Sequence, residues 1–422
     1  MWSRDEAIVA HYGGLNRQQG AKKSQRAERV DVNCSEDQFI AKIVEVNRGA
    51  GVEGELIDLI AAYARLCLRF GKSPVFYEEN PGFETKRPMI RKLIEENLHL
   101  DPRGLSFLAS YAEMMRRKRL PFFFDIRHLA RYFGMSRDEL NRLIREKELH
   151  YREFSIPKHG GGSRVIFAPT ETLKGIQRHI LAGVLERVPV HSCANGFRRR
   201  RSIVTNAENH VGREVVLKID IKDFFPSISS ARVRAAYVGL GFPEGVADVM
   251  SELSTFRGRL PMGAPTSPYL SNIIASKLDR RISRLAKRLD FTYSRYADDL
   301  AFSSRDVDFP RKIPLFRRII EDEGFRINEK KLVISRKGGR QKLTGVVVNR
   351  KLNVQKDEYR RLRAVVHNCR FGNLDEQIKR WGASDLAGFK SSLCGRISFL
   401  RMVNVEKGEK LFEAFRKVQW PV

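Results

Sequence analysis

Two stretches of this chain place three carboxylates where an ordinary fold would avoid gathering them. The first, Glu214-Val-Val-Leu-Lys-Ile-Asp-Ile-Lys-Asp-Phe-Phe225, alternates in the manner of a β-strand. Val215, Leu217, Ile219 and Ile221 fall on one face, and Lys218, Asp220 and Lys222 on the other. Asp220 thus sits on the polar face near the strand's end, where it can project into a cleft. The second, Phe291-Thr-Tyr-Ser-Arg-Tyr-Ala-Asp-Asp-Leu-Ala-Phe-Ser303, reads as two aromatic, β-branched strands around a tight turn that holds Asp298 and Asp299. Alone, Asp220 reads as a surface carboxylate. The adjacent pair, 78 positions further on (298 minus 220), changes that reading: neighbouring carboxylates repel, and no glycine turn chemistry demands them here. A divalent cation converts the repulsion into coordination. Mg²⁺ prefers hard oxygens and takes one or two carboxylates plus substrate phosphates. A pair of such ions can clamp an in-line phosphoryl transfer.

Charge points the same way. Lys and Arg number 78 against 50 acidic residues, a net +28 with an isoelectric point near 10.1. An excess of that size implies attraction to a polyanion, since neutralising phosphates releases counterions. Nucleic acid ranks ahead of a membrane surface because no basic amphipathic anchor stands out, and no apolar run approaches the roughly 18 residues of a membrane span. The opening MWSRDEAIVAHYGG lacks the basic-then-apolar layout of a secretory signal. Five cysteines (Cys34, Cys67, Cys193, Cys369, Cys394) are scattered without a CxxC pair, which argues against a disulfide framework or zinc knuckle and for a reducing cytoplasm.

Residues 1–118 read as mostly helical, with helical spacing over 55–70 and 105–115 and a proline-marked loop interval at 74–88. From Asp125 to Leu143 the pattern is helix, turn at Gly134-Met135, and a second helix capped by Ser136. That outline matches a DNA-binding helix-turn-helix, but such pairs are commoner as packing units, and the packing role is the expectation. Strand-like and helix-like segments then alternate to about residue 350, followed by a basic, mainly helical tail.

Tyr296-Ala-Asp-Asp299 resembles the YxDD box of reverse transcriptases, and Asp220-Ile-Lys-Asp-Phe-Phe-Pro-Ser-Ile228 resembles that family's first catalytic box. The resemblance covers roughly residues 120–405. It implies an α+β right-hand polymerase, with fingers and an antiparallel palm over 119–345 and a helical thumb over 346–422, and leaves the helical N-terminal extension over 1–118 without a role. It implies RNA-directed DNA synthesis with deoxynucleoside triphosphates and two Mg²⁺ ions, Mn²⁺ being a possible substitute, held by Asp220, Ile221, Asp298 and Asp299. Lys158 and Arg164, in a stretch resembling the fingers strand pair, would contact the triphosphate; read singly, they are equally solvated charges. Asp223, Phe224 and Phe225 join the implied nucleotide site, Phe225 as a gate whose ring excludes a 2′-hydroxyl, with a core role the competing reading. Leu260-Pro-Met-Gly-Ala-Pro-Thr-Ser-Pro268 resembles the block against template and sugar. Gly263 there would let backbone approach the ligand, while Met262 replaces the Gln of many relatives and removes any Gln-mediated contact. Lys331, in Asn328-Glu-Lys-Lys331, matches the lysine proposed to protonate pyrophosphate.

Asn206-Ala-Glu-Asn-His210 and Leu343-Thr-Gly345 resemble the NAxxH and VTG blocks of the bacterial retron branch. Those enzymes prime DNA from a 2′-hydroxyl of their own structured non-coding RNA, give a branched RNA–DNA hybrid and serve in anti-phage defence, some beside a separately encoded effector protein. Asn206, His210, Thr344, Gly345 and the basic run Arg198, Arg199, Arg200 and Arg201 are the implied RNA contacts. A core histidine and a solvated charge run are the competing readings. Two other functions stay open: another bacterial reverse-transcriptase lineage of abortive-infection type working without a template, and a non-catalytic nucleic-acid-binding protein.

Overall fold

The computed structural model describes residues 111–421, except 112, 113, 124 and 158–160. The helix expected over 55–70, most of that over 105–115, the proline-marked interval and Lys158 lie outside the described residues. Helix α1 (Ile126–Tyr132) and helix α2 (Arg137–Arg145) come first, each with its own cap. Asp125 accepts from the His128 N–H, and Ser136 forms a reciprocal capping box with Glu139. Leu129, Ala130, Leu140 and Leu143 are buried, so the pair spends its apolar faces on the core, the packing role its sequence favoured.

An antiparallel hairpin follows, β1 (Tyr151–Pro157) and β2 (Ser163–Pro169), with Ile156 opposite Arg164. Next come α3 (Glu171–Gly183), α4 (Ile203–Glu208), β3 (Val215–Asp220), α5 (Ser230–Leu240), α6 (Glu244–Ser254) and the long α7 (Ser267–Arg288). Strands β4 (Thr292–Tyr296) and β5 (Asp299–Ser304), helix α8 (Ile313–Asp322) and β6 (Val333–Arg336) complete a four-stranded antiparallel sheet of order β4-β5-β3-β6. A two-residue-turn hairpin, β7 (Lys342–Leu343) and β8 (Val346–Val347), leads to four helices: α9 (Lys356–Phe371), α10 (Leu374–Trp381), α11 (Leu386–Val403) and α12 (Val405–Arg416). The fold is α+β. None of the described helices is long and apolar enough to cross a membrane.

Two apolar cores divide the sheet. Leu217, Ile219, Leu300, Phe302 and Tyr293 face one of them, with Leu270, Ala275, Leu278 and Ile282 of α7. The sequence assigned the other face of β3 to polar residues, and there the structure differs. Val216 on that face is buried, and with Ala301 it joins a second core made mainly by residues 343–418. That core takes up Val216 and Ala301, while Lys218, Asp220 and Asp299 hold the rest of the face.

Phe302 shows how the sheet is held. It is fully buried, stacked on Phe316 at 4.5 Å between ring centroids, with Tyr293 at 5.2 Å. Truncation to alanine leaves a cavity the sheet cannot close, so Phe302→Ala is expected to lower the unfolding free energy by about 3–5 kcal/mol in urea titrations. A loss below about 1 kcal/mol would show that the site collapses freely.

Candidate active site

Antiparallel pairing sets Asp220 directly opposite Asp299 across β3 and β5, and Tyr296 opposite Asp299 across β4 and β5. Ala297 and Asp298 therefore form a two-residue turn, with Ala297 at φ 58° in the left-handed region. The Asp298 carbonyl accepts from the Ile221 N–H at 2.9 Å, which continues the ladder one step past β3. All three carboxylates meet at one end of the sheet. Burial, then Asp299 and Asp220, raise the Asp298 pKa above the ordinary carboxylate value. Burial also raises that of Asp299, against the lowering effect of Lys218.

Two lysines offset this negative charge. Lys218 Nζ lies 3.0 Å from Asp299 Oδ2, and Lys331 Nζ donates to Asp220 Oδ1 at 2.9 Å. Asn328 holds Asp220 twice: its side-chain amide donates to Oδ2 at 3.1 Å and its backbone N–H to the Asp220 carbonyl at 2.8 Å. The hydrogen bond to Asp220 raises the Lys331 pKa and keeps its ammonium charged. Three hard-oxygen side chains with more negative charge than their neighbours can hold suit a divalent cation such as Mg²⁺. Among the described residues no three His, Cys, Asp or Glu side chains are arranged to hold an ion by themselves. An ion that draws part of its shell from water and phosphate does not need such an arrangement. Ile221 is buried, so only its carbonyl is left as a metal donor.

Around the carboxylates the implied nucleotide residues separate. Phe225 is half-buried, and its ring lies 5.8 Å from that of the exposed Phe197. Asp223 is exposed at φ 48°, its carbonyl accepting from Ser227 N–H. Phe224 is corrected: its side chain is 5% exposed and packs on Phe325, so the ring belongs to the core and not to a ligand surface. The Met262 carbonyl accepts from Phe167 N–H at 2.7 Å, bolting this loop to β2. Gly263, at φ 119°, has the Phe167 carbonyl 2.7 Å from where a Cβ would stand; only glycine fits. Arg164 is exposed on β2.

The implied RNA residues divide likewise. Arg199, Arg200 and Arg201 are exposed, Arg199 pairing with Glu186, whereas Arg198 donates inward to the carbonyls of His191 and Ala194. Thr344 (φ 45°) and Gly345 (φ 94°) make the β7–β8 turn. Asn206 and His210 are 1% and 0% exposed, which corrects the expectation that their side chains meet RNA. His210 bridges Ser303 Oγ at 2.7 Å and Ser294 Oγ at 2.8 Å, and Ser294 donates to Asn206 Oδ1 at 2.8 Å. This network fastens the α4 segment to the face of the hairpin that carries Asp299, further along β4 and β5.

Sequence reading missed Lys218 and Asn328, although Lys218 lies two residues before Asp220 on the same face of β3, a signal that was available. It also missed Arg295 and Asp279, both fully buried. A charge on the inward face of β4 marks a buried partner, but nothing in the sequence says which acid.

A reverse transcriptase (RNA-dependent DNA polymerase) family model matches residues 156–362. The chain is 37% identical over 344 residues to the retron Mx65 reverse transcriptase of Myxococcus xanthus, covering 76% of this chain and 78% of that one. It is 39% identical to the retron Mx162 reverse transcriptase of the same organism, over 66% of this chain and 64% of the other. With the retron Ec86 reverse transcriptase of Escherichia coli it shares 32% identity, over 63% of this chain and 85% of that one.

The buried histidines carry a pH dependence. Burial lowers the His210 pKa from 6.5 to about 3 and that of His128 to about 4. Below pH 6.5 the unfolded chain takes up protons that the folded chain refuses, so each histidine removes stability as pH falls from 6.5 toward its folded value. The slope is about 1.4 kcal/mol per pH unit per group. Urea unfolding between pH 7.5 and 5 is expected to show this acid limb, and His210→Gln to flatten it. Equal slopes in the two proteins would count against a neutral buried His210.

Proposed function

We infer the finer function from a premise the matches establish: the chain belongs to the reverse transcriptase family, in its bacterial retron branch, and is an RNA-directed DNA polymerase. Its fold is that of a right-hand polymerase. It copies a cognate structured non-coding RNA into single-stranded DNA, primed from a 2′-hydroxyl of that RNA. The branched product serves anti-phage defence in the cytoplasm, alongside an effector protein. Fingers and palm span 119–345 and the thumb 346–422. The observation that carries this reading is the register that sets Asp220 opposite Asp299 with Asp298 on the adjoining turn.

Asp220, Asp298, Asp299 and the Ile221 carbonyl would hold two divalent ions, Mg²⁺ or Mn²⁺. When bound, such ions activate the attacking hydroxyl and stabilise the leaving pyrophosphate. The chain's own residues do the rest. Lys331, kept protonated beside Asp220, is placed to give a proton to the departing phosphate oxygen. The Phe225 ring, backed by Phe197, closes the space a ribose 2′-hydroxyl would need. Gly263 lets its backbone approach the deoxynucleoside triphosphate, with Met262 and Asp223 lining the same approach. Arg164, exposed on β2, and Lys158, outside the described residues, are the charges proposed to meet the triphosphate. Exposed Arg199, Arg200 and Arg201 and the turn at Thr344-Gly345 offer positive charge and backbone to the RNA, whose stems are read by shape and phosphates.

Extension of an RNA template–primer with Mg²⁺ and deoxynucleotides tests the reading. Asp298→Asn with Asp299→Asn keeps side-chain shape but removes metal-binding charge. RNA binding is expected to survive, while DNA synthesis falls by on the order of 10³-fold or more, as when essential electrostatic groups are removed. Unchanged synthesis in this variant would sink the proposal; RNA co-purified from cells would identify the template.

A second variant probes the turn alone. A Cβ at position 196 would stand 2.6 Å from the Ala297 nitrogen, so Gly196→Ala must push the 193–196 segment and the Ala297 turn apart. Since a displacement near 1 Å can cost about 10²-fold, kcat is expected to fall by about that factor with RNA affinity unchanged. Wild-type kcat would show the turn to be compliant.

A further inference from the structure

Behind the catalytic turn, on the opposite face of the sheet from the carboxylates, lies an ion pair with no access to solvent. Arg295 of β4 and Asp279 of α7 are both 0% exposed. The guanidinium grips the carboxylate with two parallel bonds, Nε to Oδ1 at 2.9 Å and Nη2 to Oδ2 at 2.7 Å. Its remaining edge is spent elsewhere. Nη1 donates to Asn272 Oδ1 at 2.9 Å and to the carbonyl of Ala297, the left-handed turn residue, at 3.2 Å. Asn272 and Asp279, seven residues apart, lie on one face of α7, two helical turns from each other.

The same residues clamp a second segment onto the turn. The Arg295 N–H donates to the Cys193 carbonyl at 2.9 Å, and its own carbonyl accepts from Asn195 N–H at 2.7 Å. Asn272 donates to the Gly196 carbonyl at 2.9 Å. Tyr293 adds a third hydrogen bond to Asp279 at 2.9 Å. Nothing here faces a ligand.

A buried ion pair is a poor stabiliser, because desolvating two charges offsets most of their attraction, and apolar residues of similar volume often serve as well. What such a pair gives is a single allowed geometry. The Ala297 backbone sits in a region non-glycine residues avoid, and a strained conformation persists only where its surroundings over-determine it. We propose that Arg295, held by Asp279 and Asn272, is a positioning residue that fixes the Ala297-Asp298 turn and so the spacing of Asp298 and Asp299 from Asp220. The inference rests on the proposed function, in that the turn is taken to carry the catalytic carboxylates.

The decisive variant is Arg295→Lys. Lysine keeps the positive charge opposite Asp279 but has no planar fork with which to hold Asp279, Asn272 and the Ala297 carbonyl together. Full-length enzyme with Arg295→Lys is expected to lose about tenfold or more in kcat on an RNA template–primer, in line with the cost of small misplacements. The KM for deoxynucleotide and the affinity for RNA should stay near wild type. Amide hydrogen exchange at residues 296–299, read without metal or substrate, should quicken. Wild-type kcat and wild-type exchange in the folded variant would overturn the proposal. If Arg295→Lys does not fold, the double variant Arg295→Met with Asp279→Leu replaces it, removing both charges together, and the same two outcomes decide. The exchange readout separates the two readings. Faster exchange together with full activity in the aspartate-to-asparagine variant would leave the strut standing and fell the catalytic assignment.

Discussion

Everything in this molecule depends on the register of one strand pair. With β3 and β5 antiparallel and Asp220 opposite Asp299, three acidic side chains share one end of a sheet. A slip by a single residue would turn Asp220 to the other face, into the core of Phe302, Leu270 and Leu278 that Leu217 and Ile219 now fill. The register is held from both sides. One face alternates apolar residues into the larger core, and the other lodges Val216 and Ala301 under the C-terminal helices. The sheet is thus pinned over most of its length so that its last residues can carry mutually repelling charges. Lys218, Lys331 and Asn328 make those charges tolerable in the absence of a cation.

The sequence was most legible where local rules act alone. Alternation over 214–225 located β3, and the aromatic runs around Asp298-Asp299 located the hairpin, because period-2 patterning is written within a few residues. The helix pair at 125–143 was legible through Asp125, Ser136 and Gly134, whose capping and turn chemistry is equally local. What escaped depends on pairs far apart in the chain. His210 meets Ser294 and Ser303 at separations of 84 and 93 residues, and no periodicity reports that a histidine in a polar stretch will end in a dry pocket between two hydroxyls. The polar face of β3 was misjudged for the same reason, since the helices that bury Val216 lie more than a hundred residues later. The nucleotide contacts proposed for this chain rest on resemblance more than on physics. Phe224 and Phe225 are adjacent and alike in sequence, and only the packing of Phe224 on Phe325 separates core from cleft.

The polar network around α4 has a position that explains its chemistry. This short helix packs against β4 on one side and against β7 and β8 on the other. It is therefore the seam between the carboxylate hairpin and the region that begins at the Thr344-Gly345 turn. On it, Ala207 belongs to the second core while Asn206, and His210 in the turn just after it, bond to the hairpin. Apolar contacts alone could bury this seam but would let the helix slide, because hydrophobic packing is non-directional. Hydrogen bonds from one imidazole to serines on two different strands fix both its height and its rotation. Burial keeps that imidazole neutral, which the arrangement requires: a neutral ring donates from one nitrogen and accepts at the other, so one serine must accept while the other donates. A charged ring would need two acceptors and would put an unpaired charge between Ser294 and Ser303.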